Sequence, residues 1–253
     1  MNKIYAVLSG KGGVGKTTTV VNLGAAINKL NEEVVLVDAN LTTPNLGLYF
    51  GAPIVPVNLN HVLQGKADTE EAVYEHESGT KLVPSSLSLK DLKKIKMDRL
   101  YDAVKDLKRN YGNVLVDSAA GLGEEVAAAI DSCDEVLVVT NPDILSVTDA
   151  LKAIKFAEDS NKLVRGVIVT KVKNDKNEMS LKSIYEMLEK PILGVIPEDR
   201  NIPSSLNQKN AVVNLKPRSK ASKAYMDIAS KLLGKRKRES EQSFWRKLFG
   251  IFR

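Results

Sequence analysis

Eight residues near the amino terminus, Gly10-Lys11-Gly12-Gly13-Val14-Gly15-Lys16-Thr17, restrict what this chain can fold into more than any other feature. They follow an apolar run at 4–9 and precede a helical pattern at 17–30. The order G-x-x-x-x-G-K-[ST], set between a strand and a helix, is that of a phosphate-binding P-loop. Its glycines let consecutive backbone N–H groups turn toward one anion. The helix that begins near Lys16 adds the positive end of its dipole. In such a loop Lys16 neutralises the β- and γ-phosphates and the Thr17 hydroxyl ligates Mg²⁺. The phosphates of a nucleotide, with Mg²⁺, are therefore the expected ligand.

The rest of the chain continues the alternation. Apolar, β-branched runs stand at 34–38, 113–117, 136–140, 167–170 and 193–196, with a weaker one at 81–84. Helical stretches separate them, among them a charged one at 89–109, in which Lys90 to Lys96 reads as a solvated helix face. Near-continuous Val/Ile/Leu strands alternating with helices specify a mostly parallel, twisted sheet covered on both faces. The predicted fold is thus an α/β P-loop NTPase of about 7–8 strands. Asp38 and Asp117 close two of the strands, and ligands of such sheets bind outside the strands' carboxyl ends. Both acids are candidates for the magnesium shell, with Asp117 the better match because it ends Asn113-Val114-Leu115-Val116-Asp117. A helix cap or a turn is the plainer role for each.

Hydrophobic residues make up 43% of the 253, enough for a real core, and residues 1–234 are expected to form one ATPase domain. No apolar run approaches the roughly 18 residues of a membrane span. Residues 1–9 read as a strand feeding the loop, not as a signal peptide. A single cysteine, Cys133, excludes an intrachain disulfide and any metal site needing two cysteines of one chain. A reducing cytoplasm is the expected compartment. His61 and His76 have no neighbours at metal-ligand spacing. Of the net charge of +6, residues 235–253 carry seven basic against two acidic side chains, or +5. The body is left nearly neutral, which argues against a broad nucleic-acid-binding face.

Several segments together resemble one family. Lys11-Gly12-Gly13-Val14-Gly15-Lys16-Thr17-Thr18 is similar to the deviant Walker A motif of the MinD/ParA family of dimerising ATPases. Val37-Asp38-Ala39-Asn40, followed by Pro44-Asn45-Leu46, resembles that family's first switch. Asp117-Ser118-Ala119-Ala120-Gly121 resembles its second, which usually reads Asp-x-Pro-Ala-Gly. Gly194-Val195-Ile196-Pro197-Glu198-Asp199 resembles its adenine-side loop. The matches run from residue 2 to about 232. The resemblance implies a sandwich homodimer with ATP at the interface. In it Lys16 serves the nucleotide of its own chain while Lys11 reaches that of the partner, and residue 40 handles the attacking water. Pro197, Glu198, Asp199 and Thr170 would border the adenine.

Two positions depart from the pattern. Asn40 stands where the family usually has Asp, and Thr170 where relatives often carry Asn. An amide can orient water but cannot take its proton as a carboxylate does. Slow hydrolysis and a long-lived ATP state are expected.

The carboxyl end is a separate matter. Residues 235–243 read as a basic and polar linker, and residues 244–253 as an amphipathic helix. At about 100° per residue, Phe244, Trp245, Leu248, Phe249, Ile251 and Phe252 fall within an arc of roughly 160°. Arg246, Lys247, Gly250 and Arg253 take the other side. Such a segment can lie in an anionic membrane surface, apolar face down, and it resembles the membrane-targeting sequence of the MinD branch. Packing on the body or on a partner, and nucleic-acid binding through Lys235 to Arg238, are the alternatives. The expected function is a membrane-associated ATP switch, peripheral on the inner face of the cell membrane, that positions division or other surface machinery with an unidentified activator or client. A ParA-type DNA-partitioning ATPase and a cluster- or client-delivering ATPase compete with it.

Overall fold

The computed structural model describes residues 2–235. The linker from residue 236 onward and the amphipathic segment at 244–253 lie outside the described residues. Eight strands form one sheet: β1 (Ile4–Ser9), β2 (Val34–Asp38), β3 (Tyr74–Glu75), β4 (Lys81–Val83), β5 (Asn113–Ala120), β6 (Glu135–Thr140), β7 (Leu163–Val172) and β8 (Ile192–Pro197). Their order is β3-β4-β2-β5-β1-β6-β7-β8. Every pairing is parallel except that of β3 with β4. The helices are α1 (Lys16–Lys29), α2 (Leu46–Tyr49), α3 (Leu59–Leu63), α4 (Arg99–Tyr111), α5 (Glu124–Ser132), α6 (Ile144–Asp159), α7 (Leu181–Leu188), α8 (Asn201–Asn207), α9 (Val212–Leu215) and α10 (Lys220–Leu232).

Strand alternation splits the interior into two cores. Ile4, Ala6 and Leu8 of β1 face the side covered by α3 to α7, where Leu100, Val104, Ile130 and Ile154 are buried. Tyr5 and Val7 face the side covered by α1, α2, α9 and α10, where Leu23, Ile27, Tyr225 and Ile228 are buried. Both faces of the central strands are thus apolar, which is why they read as continuous Val/Ile/Leu runs. In α4 the buried residues Leu100, Ala103, Val104 and Leu107 repeat at helical spacing.

The charged stretch at 89–109 is not one helix. A 3₁₀ turn at Leu89–Leu92 is separated from α4 by six residues in which Lys93 is extended and Lys94 left-handed, with φ 63°. Leu92, Ile95 and Met97 pack against the core from this irregular segment. Their burial fixes the backbone where charge periodicity alone reads as helix, so Lys90 to Lys96 is not a helix face.

β1 lies centrally, and β5 and β6 flank it on opposite sides. The chain reaches β2 and β5 on one side before crossing to β6 on the other. The carboxyl end of β1 is therefore the topological switch point, where a crevice opens above a parallel sheet. The glycine loop leaves from that end.

Candidate functional site

The loop between β1 and α1 has the shape its glycines permit. Gly13 and Gly15 have φ 81° and 95°, a region that L side chains rarely adopt. Gly10 is required for a different reason: a Cβ there would stand 2.1 Å from the Asp149 carbonyl oxygen of α6. α1 begins at Lys16, so its unpaired first-turn N–H groups face the crevice.

Lys16 is only 8% exposed, and its Nζ is 2.6 Å from Asp117 Oδ1. It also donates to the Ser118 carbonyl. The Thr17 hydroxyl donates to Asp117 Oδ2 at 2.6 Å. The structure thus brings Lys16, Thr17 and Asp117 to one point under the loop, across 100 residues of sequence. A hydroxyl and a carboxylate side by side are the hard oxygen donors that Mg²⁺ takes, together with phosphate oxygens and water.

Asp38 stands beside Asp117, in register on the adjoining strand. Its Oδ2 accepts from the N–H groups of Asn45 and Leu46 at 3.0 and 2.9 Å. Its Oδ1 accepts from the Asn40 N–H at 3.3 Å. Asp38 therefore fastens the loop after β2, the plainer role open to it. Complete burial, followed by the nearby Asp117 carboxylate, pushes its carboxyl up to about 7.

Asn40 lines the crevice from that loop, and its side chain is clasped by Thr43. Its Nδ2 donates to the Thr43 carbonyl at 2.6 Å, while its Oδ1 accepts from the Thr43 hydroxyl at 3.1 Å and N–H at 3.3 Å. The next residue but one, Thr42, donates through N–H and hydroxyl to Glu125 Oε1 in the first turn of α5. The loop after β2 and the helix after β5 are thereby joined.

Two cavities meet over the loop. One of about 700 Å³ is lined by Ser9, Gly12, Gly13, Gly15, Lys16, Thr17, Thr18, Asn40 and Ala120 among others. The second, of about 1030 Å³, is lined by Gly15, Thr18, Thr170, Ile196, Pro197, Glu198, Asp199 and Tyr225 among others. Gly15, Thr18 and Lys171 border both. A polar pocket with converging N–H groups that continues into a more apolar one fits a nucleotide, phosphates in the first and base in the second. Asp199 lines the base side, yet its carboxylate is occupied in accepting from Asn201 and the Ala221 N–H.

Thr170 and Lys171 face the loop itself. The Thr170 hydroxyl donates to the Val14 carbonyl at 2.5 Å, and the Lys171 ammonium to the Gly13 carbonyl at 2.6 Å. Sequence reasoning passed over Lys171, Thr43 and Glu125. The first was within reach, because it follows Thr170 at the carboxyl end of a parallel strand. Lys11 lies elsewhere: it is exposed, borders neither cavity, and its charge acts on the Asp143 carboxylate that caps α6.

A profile of the CobQ/CobB/MinD/ParA nucleotide binding domain matches residues 5–212. The chain belongs to that family. Within it the chain is MinD-like. It is 38% identical to an uncharacterized ATP-binding protein of Methanocaldococcus jannaschii, with 97% of this chain and 96% of that one aligned. Among solved structures, the septum site-determining protein MinD complexed with Mg-ADP from Pyrococcus horikoshii is similar with TM-score 0.87 and 31% identity, covering 92% of this chain and 96% of that one. MinD in the MinC:MinD cell division protein complex of Aquifex aeolicus gives TM-score 0.83 at 31% identity, over 92% and 96%. The mostly parallel sheet of about 7–8 strands expected of the sequence has eight here, and it is the fold of these MinD/ParA ATPases.

Proposed function

We propose that this MinD/ParA ATPase is a dimerising switch that binds Mg-ATP, hydrolyses it slowly, and resides on a membrane surface while dimeric. Two lysines of one loop support this most directly. Lys16 is buried against its own chain's Asp117, whereas Lys11, five residues earlier, is exposed and borders neither cavity. An exposed cation that borders neither cavity of its own chain supports a role at a neighbouring subunit's nucleotide, which would tie charge stabilisation to association. Lys16 and the loop N–H groups hold the phosphates, Thr17 and Asp117 the magnesium, and Asn40 orients the attacking water. Asp38 acts on the magnesium shell through the loop it fastens. Mg²⁺, when bound, would offset charge on the β- and γ-phosphate oxygens.

The amphipathic pattern at 244–253 supplies the surface. A helix of ten residues is too short to be stable alone in water, so one copy binds weakly. Two copies in a dimer bind with the second at high effective concentration. ATP then governs membrane residence through dimerisation. Among the described residues no helix is long and apolar enough to cross a membrane. A client or activator protein completes the switch; the MinC:MinD complex of Aquifex aeolicus supports a cell-division partner.

Co-sedimentation with anionic liposomes and with duplex DNA, under ATP and under ADP, tests the proposal. The full chain is expected to pellet with liposomes in ATP and to stay in the supernatant in ADP. Deletion of residues 239–253 is expected to abolish pelleting while leaving nucleotide binding intact. Liposome binding that ignores the nucleotide or survives the deletion refutes the membrane switch, and ATP-dependent pelleting with DNA would establish the partitioning alternative.

A further inference from the structure

The tip of β7 touches the phosphate loop at two successive carbonyls. Thr170 is buried, and its hydroxyl has one proton to give. Its shortest contact is the Val14 carbonyl at 2.5 Å, with Asn141 Oδ1 and the Thr140 carbonyl at 2.9 and 3.2 Å. Lys171 donates its ammonium to the Gly13 carbonyl. The backbone at Lys171 is left-handed, with φ 57°, at a place where the β7–β8 register breaks between Val169 and Val172. A lysine gains nothing locally from that conformation, and such strain persists where surrounding contacts impose it, often at functional sites.

In a trans peptide the C=O and N–H point in opposite directions. Fixing the Gly13 carbonyl toward β7 turns the Val14 N–H away from β7. Fixing the Val14 carbonyl does the same for the Gly15 N–H. Neither N–H donates to a protein acceptor among the described residues. We propose that Thr170 and Lys171 form a brace that holds these two N–H groups turned into the concave side of the loop, preorganised for phosphate oxygens. They are positioning residues that act through the loop backbone. This inference rests on the nucleotide reading of the site and gives Thr170 a duty toward the phosphates in place of the base.

Calorimetric titration of the full chain with Mg-ADP and with adenosine separates the possibilities. Thr170→Val and Lys171→Met remove a donor each while keeping the bulk. Together they are expected to raise the Kd for ADP about 10- to 100-fold, as expected for hydrogen bonds to charged groups, with the Kd for adenosine unchanged within about twofold. Thr170→Ser and Lys171→Arg, which keep the donors, are expected to restore ADP affinity. Lys171→Gly relieves the left-handed backbone but deletes the cation. It is expected to weaken ADP binding without lowering the melting temperature, a split that a purely structural role does not produce. Unchanged ADP affinity in the double variant, or an equal loss for adenosine, overturns the brace. A wild-type chain that binds no ADP overturns the nucleotide reading and the brace with it.

Discussion

Replacing Lys16 with alanine is expected to abolish ATP turnover and, less obviously, to cost about 3–5 kcal/mol of folding stability at pH 8. Lys16 pairs with the fully buried Asp117 carboxylate at 2.6 Å, and the fully buried Asp38, in register with Asp117 on the adjoining strand, also feels its charge. Removing one partner of a buried pair leaves the other charge uncompensated, and that penalty exceeds what an exposed ion pair is worth. The deficit should depend on pH with a definite sign. Burial, and then Asp117, already raise the Asp38 carboxyl from 3.8 to about 7, and Lys16 acts in the opposite direction. Between those values the native state holds a proton that the unfolded state has lost, so stability falls as pH rises. Without Lys16 the upward shift grows. Urea unfolding in EDTA at pH 8 and pH 6 should therefore show a smaller gap between the alanine variant and wild type at pH 6. Equal stability of the two proteins at pH 8 would show that Lys16 serves the ligand alone.

Asn40→Asp is expected to raise the rate of phosphate release by about 10²-fold or more, the lower end of what a positioned general base contributes. The rate rises because a carboxylate can take the proton that the amide leaves on the attacking water. The structure adds a second consequence. The Asn40 amide donates to the Thr43 carbonyl at 2.6 Å. An aspartate would set an oxygen against that carbonyl, so the loop from 40 to 45 must loosen. The variant should lose about 1 kcal/mol of stability, the net worth of one hydrogen bond, while gaining turnover. Asn40→Ala loses the same clasp and gains no base, so single-turnover hydrolysis by the alanine variant should stay at or below the wild-type rate. If Asn40→Asp turns over no faster than wild type, the amide is not what sets the slow rate.

Much of the fold was legible because two physical signals are local. Strands buried on both faces must be apolar throughout, and the runs around Val35, Val114, Val136 and Val167 announced themselves for that reason. The loop at 10–17 was legible because glycine alone tolerates φ near 90° at positions 13 and 15. What escaped was non-local or too short. Tyr74–Glu75 is a strand of two residues and carries no period. The break between Leu92 and Arg99 is set by the packing of Ile95 and Met97, which outweighs the helical spacing of the charges. At the site, Lys16, Thr17 and Asp117 were readable as separate motifs, but their convergence was not. Asp38 ends a strand, which marks it as a candidate for the magnesium shell; its fastening of the loop depends on N–H groups of Asn45 and Leu46 that only the folded loop brings to it. The brace on the loop joins residues 156 and 158 positions apart, beyond the reach of any pattern in the chain.

Whether Lys11 acts across a subunit boundary is tested most directly by sedimentation equilibrium of wild type and Lys11→Ala in Mg-ATP and Mg-ADP. Wild type should be dimeric in ATP and monomeric in ADP. The alanine variant, with its own crevice intact, should bind ATP with near wild-type affinity and remain monomeric. A variant that dimerises in ATP as wild type does, or a wild type that stays monomeric at saturating ATP, would contradict such a role.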